Sequence, residues 1–251
     1  MKLLNSYCLP LIACCLLFTA CKGKTSDTES LVVATSGWTA AYARIAGADS
    51  VYVLAPIEME HPSEYELRMS DIARLQQASL IIYAGYEVMT DRLKTGLDLP
   101  PDRMLYIHTD YDFASIEKAV LDIAERLGTT DIARINLEAV RHELSAARET
   151  LKALVGQPIV VHRFQASLAK EFGITPVAIF GPGAPEAAQI AEVARTQAVM
   201  IIDNLHNPVG QPFLEALPTA RYVQFLNFPG LHQTTTLADV IRFNASIWAN
   251  P

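Results

Sequence analysis

The chain has 251 residues, 51% of them hydrophobic, and a net charge of −7. That length allows one large domain or two modest ones with a buried core, and an acidic chain without a basic block excludes nucleic acid as the main partner and a polybasic membrane patch. All four cysteines (Cys8, Cys14, Cys15 and Cys21) fall in the first 21 residues, so the body forms no internal disulfide and leaves imidazole and carboxylate as its strong metal ligands.

Met1-Lys2 gives a positive start, and residues 9–20 form an apolar run too short for a comfortable membrane span. Residues 1–20 therefore read as a secretory signal. The signal ends in Leu17-Phe18-Thr19-Ala20-Cys21, which resembles the lipobox of bacterial lipoproteins, although Phe18 replaces the usual aliphatic residue and Leu11-Ile12-Ala13-Cys14 is a competing match. The resemblance implies that Cys21 carries the lipid. Residues 21–30 then form a polar tether, and the protein is held outside the cytoplasm by an N-terminal lipid anchor in a bacterial membrane.

The body alternates strand and helix. Residues 31–35 (Leu31-Val32-Val33-Ala34-Thr35) have the short β-branched pattern of a buried parallel strand, followed by a helix over 38–46 and a strand over 51–54. His61 follows on a polar loop. Ser70 is the expected N-cap of the next helix, with Asp71 at its positive end, and Leu80-Ile81-Ile82-Tyr83 forms a strand. A helix over 90–97 is broken by Pro100-Pro101. A strand over 104–107 ends at His108, and 112–127 is helical again. Residues 31–129 thus read as an α/β lobe with a mainly parallel sheet.

Between 130 and 155, Ile132, Ile135, Leu137, Val140, Leu144, Ala147, Leu151 and Leu154 recur at close to helical period. This predicts one long helix joining two lobes, with His142 a solvated residue on it. Residues 156–251 repeat the α/β pattern: strands over 158–161 (ending at His162), 176–180, 199–202 (ending at Asp203) and 222–226, and helices over 164–172, 185–196, 213–217 and 236–248. Gly173 is the expected C-cap of the first of these helices. Gly181-Pro182-Gly183 reads as a rigid turn, not a phosphate loop. The two lobes show no sequence repeat.

His61, His108 and His162 each fall between a strand and a helix, at the strand edge where α/β sheets bind ligands. If the lobes face one another, the three imidazoles converge on one cleft. Three neutral imidazoles suit Zn²⁺ and suit Mg²⁺ or Ca²⁺ poorly. From Leu31 to the C-terminus the chain resembles the zinc and manganese solute receptors of bacterial ABC importers. His61 with Tyr65, Leu67-Arg68, Ser70-Asp71 and Arg74-Leu75 matches the family's first ligand and its helix, and Ser79-Leu80-Ile81-Ile82 through Gly85 and Glu87 matches the segment after it. His108 falls on the second ligand. His162, in Val160-Val161-His162 before Leu168 and Phe172-Gly173, falls on the third.

The resemblance implies two α/β lobes bridged by a long helix, with Zn²⁺ (or, less favoured, Mn²⁺) held between them for delivery to an ABC permease by a monomeric receptor that is not an enzyme. Pro62-Ser63 departs from the family as a small insertion, and the family's histidine-rich loop and disulfide are absent. The fourth ligand stays open among Asn227, Asp203, His206, His232 and water. Asp203 is expected to orient a neighbour, and His206 and His232 are expected to be ordinary loop histidines. The rival readings are a zinc hydrolase with a three-histidine site, which lacks an HExxH pairing, and a receptor of the same fold for a metal chelate.

Overall fold

Short β-branched runs and amphipathic segments alternate along residues 30–249, which a computed structural model describes apart from Glu58 and Glu60. The signal, Cys21 and the tether up to residue 29 lie outside the described residues. The chain runs β1 (Leu31–Ala34), α1 (Gly37–Ile45), β2 (Ser50–Val53), α2 (Met69–Gln77), β3 (Leu80–Tyr83), β4 (Met104–Tyr106), α3 (Phe113–Leu127) and α4 (Thr130–Thr150). It continues β5 (Ile159–His162), α5 (Ala166–Glu171), β6 (Ala178–Phe180), α6 (Ala187–Arg195), β7 (Met200–Asn204), α7 (Phe213–Ala216), β8 (Arg221–Phe225) and α8 (Leu237–Ala249).

The strands form two four-stranded parallel sheets of matching order, β2-β1-β3-β4 and β6-β5-β7-β8. Central strands read as continuous apolar runs because helices cover both faces: β1 pairs Val33 with Tyr52 and Ile81, and β5 pairs Val161 with Ile179 and Ile202. In each sheet the chain crosses from the first strand to one neighbour and then returns past it to the other. Two topological switch points result, one at the carboxyl ends of β1 and β3 and one at those of β5 and β7.

The long helix does more than connect. Ala133, Leu137, Val140, Leu144 and Ala147 of α4 are buried, and they belong to one apolar cluster that continues from Val32 and Ile82 through α3 to Val161, Ile202 and Ile241. The two lobes thus share a core. Ile132 and Ile135, expected on the apolar face, are exposed instead, and His142 is exposed as expected.

Local departures have identifiable causes. The N-cap of α2 is Arg68, not Ser70: Asp71 reaches back to accept the Arg68 N–H at 2.7 Å, which begins the helix two residues earlier. The helix expected over 90–97 is present over 90–96, but it widens to a π-helix over Arg92–Gly96. The long helix ends at Thr150 and gives way to a tight turn over Lys152–Leu154. The C-cap of α5 is Phe172, and the expected glycine, Gly173, follows it in the left-handed region at φ +83°.

Candidate metal centre

Loops at the carboxyl ends of the strands carry the polar residues, and those of the two lobes meet. In the N-terminal lobe the buried Glu87 organises this edge. Its carboxylate accepts from the Thr35 hydroxyl (2.5 Å), the Ala84 and Gly85 N–H groups (3.1 and 2.7 Å) and, more weakly, the Thr90 hydroxyl (3.4 Å). That arrangement ties the ends of β1 and β3 together at the switch point.

His61 is exposed and precedes a short turn, Pro62–Glu64. The Ser63 carbonyl accepts the Val88 N–H at 2.8 Å, which holds this loop against the Glu87 turn. His108 is also exposed, directly beyond β4, with its Nε2 3.5 Å from Asp110 Oδ2. Asp110 in turn accepts from the Tyr111 N–H at 2.6 Å. Both histidines are exposed, on loops beyond the carboxyl ends of β2 and β4.

His162 is different. It ends β5 fully buried, with its ring between Phe164 and Phe180 at centroid distances of 5.0 and 5.3 Å. Its Nδ1 accepts the Phe164 N–H at 3.1 Å, capping the turn that leads into α5. A neutral ring that accepts at Nδ1 carries its proton on Nε2, and that Nε2 has no hydrogen-bond partner. A Cβ at position 181 would lie 2.4 Å from it, so only glycine leaves it room. Burial lowers the pKa of the imidazole, with the Asp203 charge opposing and Arg163 reinforcing that shift. Binding a metal through Nε2 would require the proton to move to Nδ1 and the bond to Phe164 to break.

Among the described residues, no three His, Cys, Asp or Glu side chains are gathered as a group able to hold a metal ion. The structure therefore places His61, His108 and His162 on the expected strand edges without bringing their rings together.

The other candidates separate clearly. Asp203 is buried and saturated: its Oδ1 accepts the Asn204 N–H (2.7 Å), and its Oδ2 accepts the Gly210 N–H and the Tyr222 hydroxyl (both 2.6 Å). It orients its neighbours, as expected. His232 is an exposed loop histidine stacked on Phe243. His206 is not an ordinary loop histidine. It is 8% exposed, lies flat against Phe228 at 4.0 Å, and has both ring nitrogens unpartnered. Burial alone pushes its pKa down to about 4. Asn227, only 7% exposed, has its side-chain oxygen unpartnered as well.

Phe228 also stacks on Trp38 of the other lobe at 6.3 Å, and Trp38 packs on Tyr111 at 5.8 Å. The Tyr111 hydroxyl donates to the Asn227 carbonyl at 2.9 Å across the seam. Among the described residues, the buried polar atoms without a partner belong to Trp38, His162, Gln165, Asn204, His206 and Asn227. All six lie at or just beyond the carboxyl ends of β1, β5, β7 and β8. Native proteins leave few such groups unsatisfied, and here they collect where α/β sheets bind ligands. The aromatic seam was not legible residue by residue. His206, however, follows a strand just as the three singled-out histidines do, and that signal was present in the sequence.

No protein-family model matches the sequence, and no curated protein does either. Similarity is found among solved structures. The Mn-bound periplasmic metal-binding protein of Candidatus Liberibacter asiaticus matches at TM-score 0.64 with 14% identity, covering 86% of this chain and 97% of that one. The SBP FpvC of Pseudomonas aeruginosa in complex with Ni²⁺ matches at TM-score 0.66 with 16% identity, covering 86% and 93%. Its complex with Mn²⁺ matches at 0.66 with 14% identity, covering 86% and 96%. The chain has the fold of these two-lobed metal-binding receptors, as the resemblance read from its histidines and helices implied. No helix among the described residues is long and apolar enough to cross a membrane.

Proposed function

We propose that the protein is an extracytoplasmic receptor that captures a divalent metal ion between its lobes and hands it to an ABC permease, with Zn²⁺ as the favoured cargo. The observation that carries this reading is the set of unpartnered buried polar atoms at or just beyond the carboxyl ends of β1, β5, β7 and β8, in a fold shared with periplasmic metal-binding proteins. His61 and His108 approach the ion from the N-terminal lobe, and His162 from the C-terminal lobe once its cap on Phe164 is released. The ion thus draws together loops that stand apart without it, a shift driven by its preference for the gathered state. A lipid on Cys21 keeps the receptor at the membrane, and residues 31–129 and 156–251 act as the two lobes about the helix begun at residue 130.

Imidazole ligands favour Zn²⁺ over Mn²⁺, which prefers oxygen. Both FpvC and the Liberibacter protein have Mn-bound structures, so Mn²⁺ is the alternative cargo. The test is chelator competition for Zn²⁺. Replacing His61, His108 or His162 by Ala weakens binding by well over tenfold in each case. Wild-type affinity in all three variants contradicts the reading.

A further inference from the structure

The short helix α5 is seated in its own lobe by apolar side chains: Leu168, Ala169 and the following Phe172 are fully buried in the shared core. Ser167 and Glu171 stand one turn apart on α5 and so share a face. That face meets the start of α3, in the other lobe. Ser167 Oγ accepts the Tyr111 N–H at 3.4 Å, and Glu171 Oε1 accepts the Phe113 N–H at 3.3 Å. Phe113 opens α3, so its N–H is one that a helix leaves without an internal partner, and a carboxylate is favoured at that positive end. The second oxygen, Oε2, accepts from Arg148 Nη2 of α4 at 2.5 Å, and Arg148 Nε donates to the Glu171 carbonyl. Arg141 of α4 holds the Phe113 ring from the other side, 4.5 Å from its centroid. One carboxylate thus joins the C-terminal lobe, the bridging helix and the N-terminal lobe.

The two sides of α5 differ in how easily they part. Its apolar side separates only if the core opens. Hydrogen bonds exchange for bonds to water at small net cost, and polar contacts between domains are the ones that permit relative motion. The Glu171 side chain is 13% exposed and that of Arg148 52%, so the pair stands at the rim of the seam, where water can replace it.

We propose that Glu171 is a latch between the lobes. Bound to Phe113 and Arg148, it holds α5 on the N-terminal lobe and fixes the spacing of the lobes; released, it lets the C-terminal lobe turn away from the start of α3. Because α5 continues from the turn that His162 caps, the latch also holds the carboxyl end of β5. This goes beyond the receptor reading and requires no bound ion. A second ion pair, Arg242 with Glu143 at 2.6 Å, joins α8 to α4 and serves as the control.

Spin labels are attached to the full chain through genetically encoded ketone side chains at Ala73 of α2 and Ala191 of α6, both exposed. Interlobe distances are measured by pulsed electron spin resonance in the presence of a chelator, for wild type, Glu171→Ala, Glu171→Gln and Glu143→Ala, with far-UV circular dichroism verifying each fold. The wild type and Glu143→Ala are expected to give the same narrow distribution. Glu171→Ala is expected to broaden it or add a second distance, and to speed exchange of the Phe113 amide about tenfold, as loss of a charged acceptor does. Glu171→Gln, which keeps an oxygen for Phe113 but loses the ion pair, is expected to fall between. A wild-type distribution in Glu171→Ala overturns the proposal, as does equal broadening in Glu143→Ala, which would mark a general loss of helix packing. Should Glu171→Ala fail to fold, wild-type distances and unchanged Phe113 protection in Glu171→Gln overturn it instead. Failure of the latch leaves the receptor reading standing, and a wild type that binds no divalent ion leaves the latch standing.

Discussion

Lowering the pH should destabilise the metal-free protein through His206 in a way that can be isolated and sized. Burial brings its pKa from the ordinary 6.5 down to about 4. Between those values the unfolded chain binds a proton at this position and the folded chain does not, so stability falls as pH falls. The contribution is fully present above pH 6.5 and is lost progressively down to about pH 4. At about 1.4 kcal/mol per pKa unit, the 6.5-to-4 shift corresponds to about 3 kcal/mol. His162 shifts in the same direction, and Asp110 and Asp239, with lowered pKa values, lose stabilisation at still lower pH. The informative quantity is therefore the difference between wild type and His206→Phe. Urea unfolding in the presence of a chelator, repeated at intervals from pH 7.5 to 4.5, supplies it by linear extrapolation. The wild type should lose about 2–3 kcal/mol more than the variant across that range. Parallel curves would refute the assignment of a buried, unpartnered imidazole at 206.

Two further substitutions probe the frame around the site. Gly230 has φ +136°, and a Cβ there would lie 2.0 Å from Ile57 Cγ2 across the seam; Gly230→Ala should lower stability by about 1–3 kcal/mol, as overpacking does, read as a shift in the urea midpoint with unchanged slope. Glu87→Ala removes the acceptor of four hydrogen bonds at the N-terminal switch point. It should cost about 3 kcal/mol and speed amide exchange at Ala84 and Gly85, whereas protection unchanged at those two amides would show that the carboxylate does not hold the loop.

Much of the architecture was legible because it is local. Strand and helix periods follow from side-chain spacing, and Val32, Val33, Ile81, Ile82, Val160 and Val161 carry the β-branched or apolar pattern of buried strands into sheets that are indeed parallel. The placement of His61, His108 and His162 beyond strand ends was legible for the same reason. What escaped was long-range or depended on side-chain orientation. The matching strand order of the lobes leaves no trace in a sequence without a repeat. Asp71 displaced the cap of α2 because N3 carboxylates can reach back to a residue with no capping side chain. Ile132 and Ile135 kept helical phase yet faced outward at the end of α4, where Ile132 shields Gly47. His206 looked like a loop histidine because nothing near it in sequence announces Phe228, which covers one face of its ring only once β7 and β8 lie side by side.

The most direct measurement is a crystal structure of the zinc-loaded protein with anomalous data collected at the zinc absorption edge. One strong peak per molecule is expected between the loops that follow β2, β4 and β5, with imidazole nitrogens from both lobes around it and the His162 ring released from Phe164. An anomalous map with no peak in that seam, or with its strongest peak on an outer face of either lobe, would contradict it.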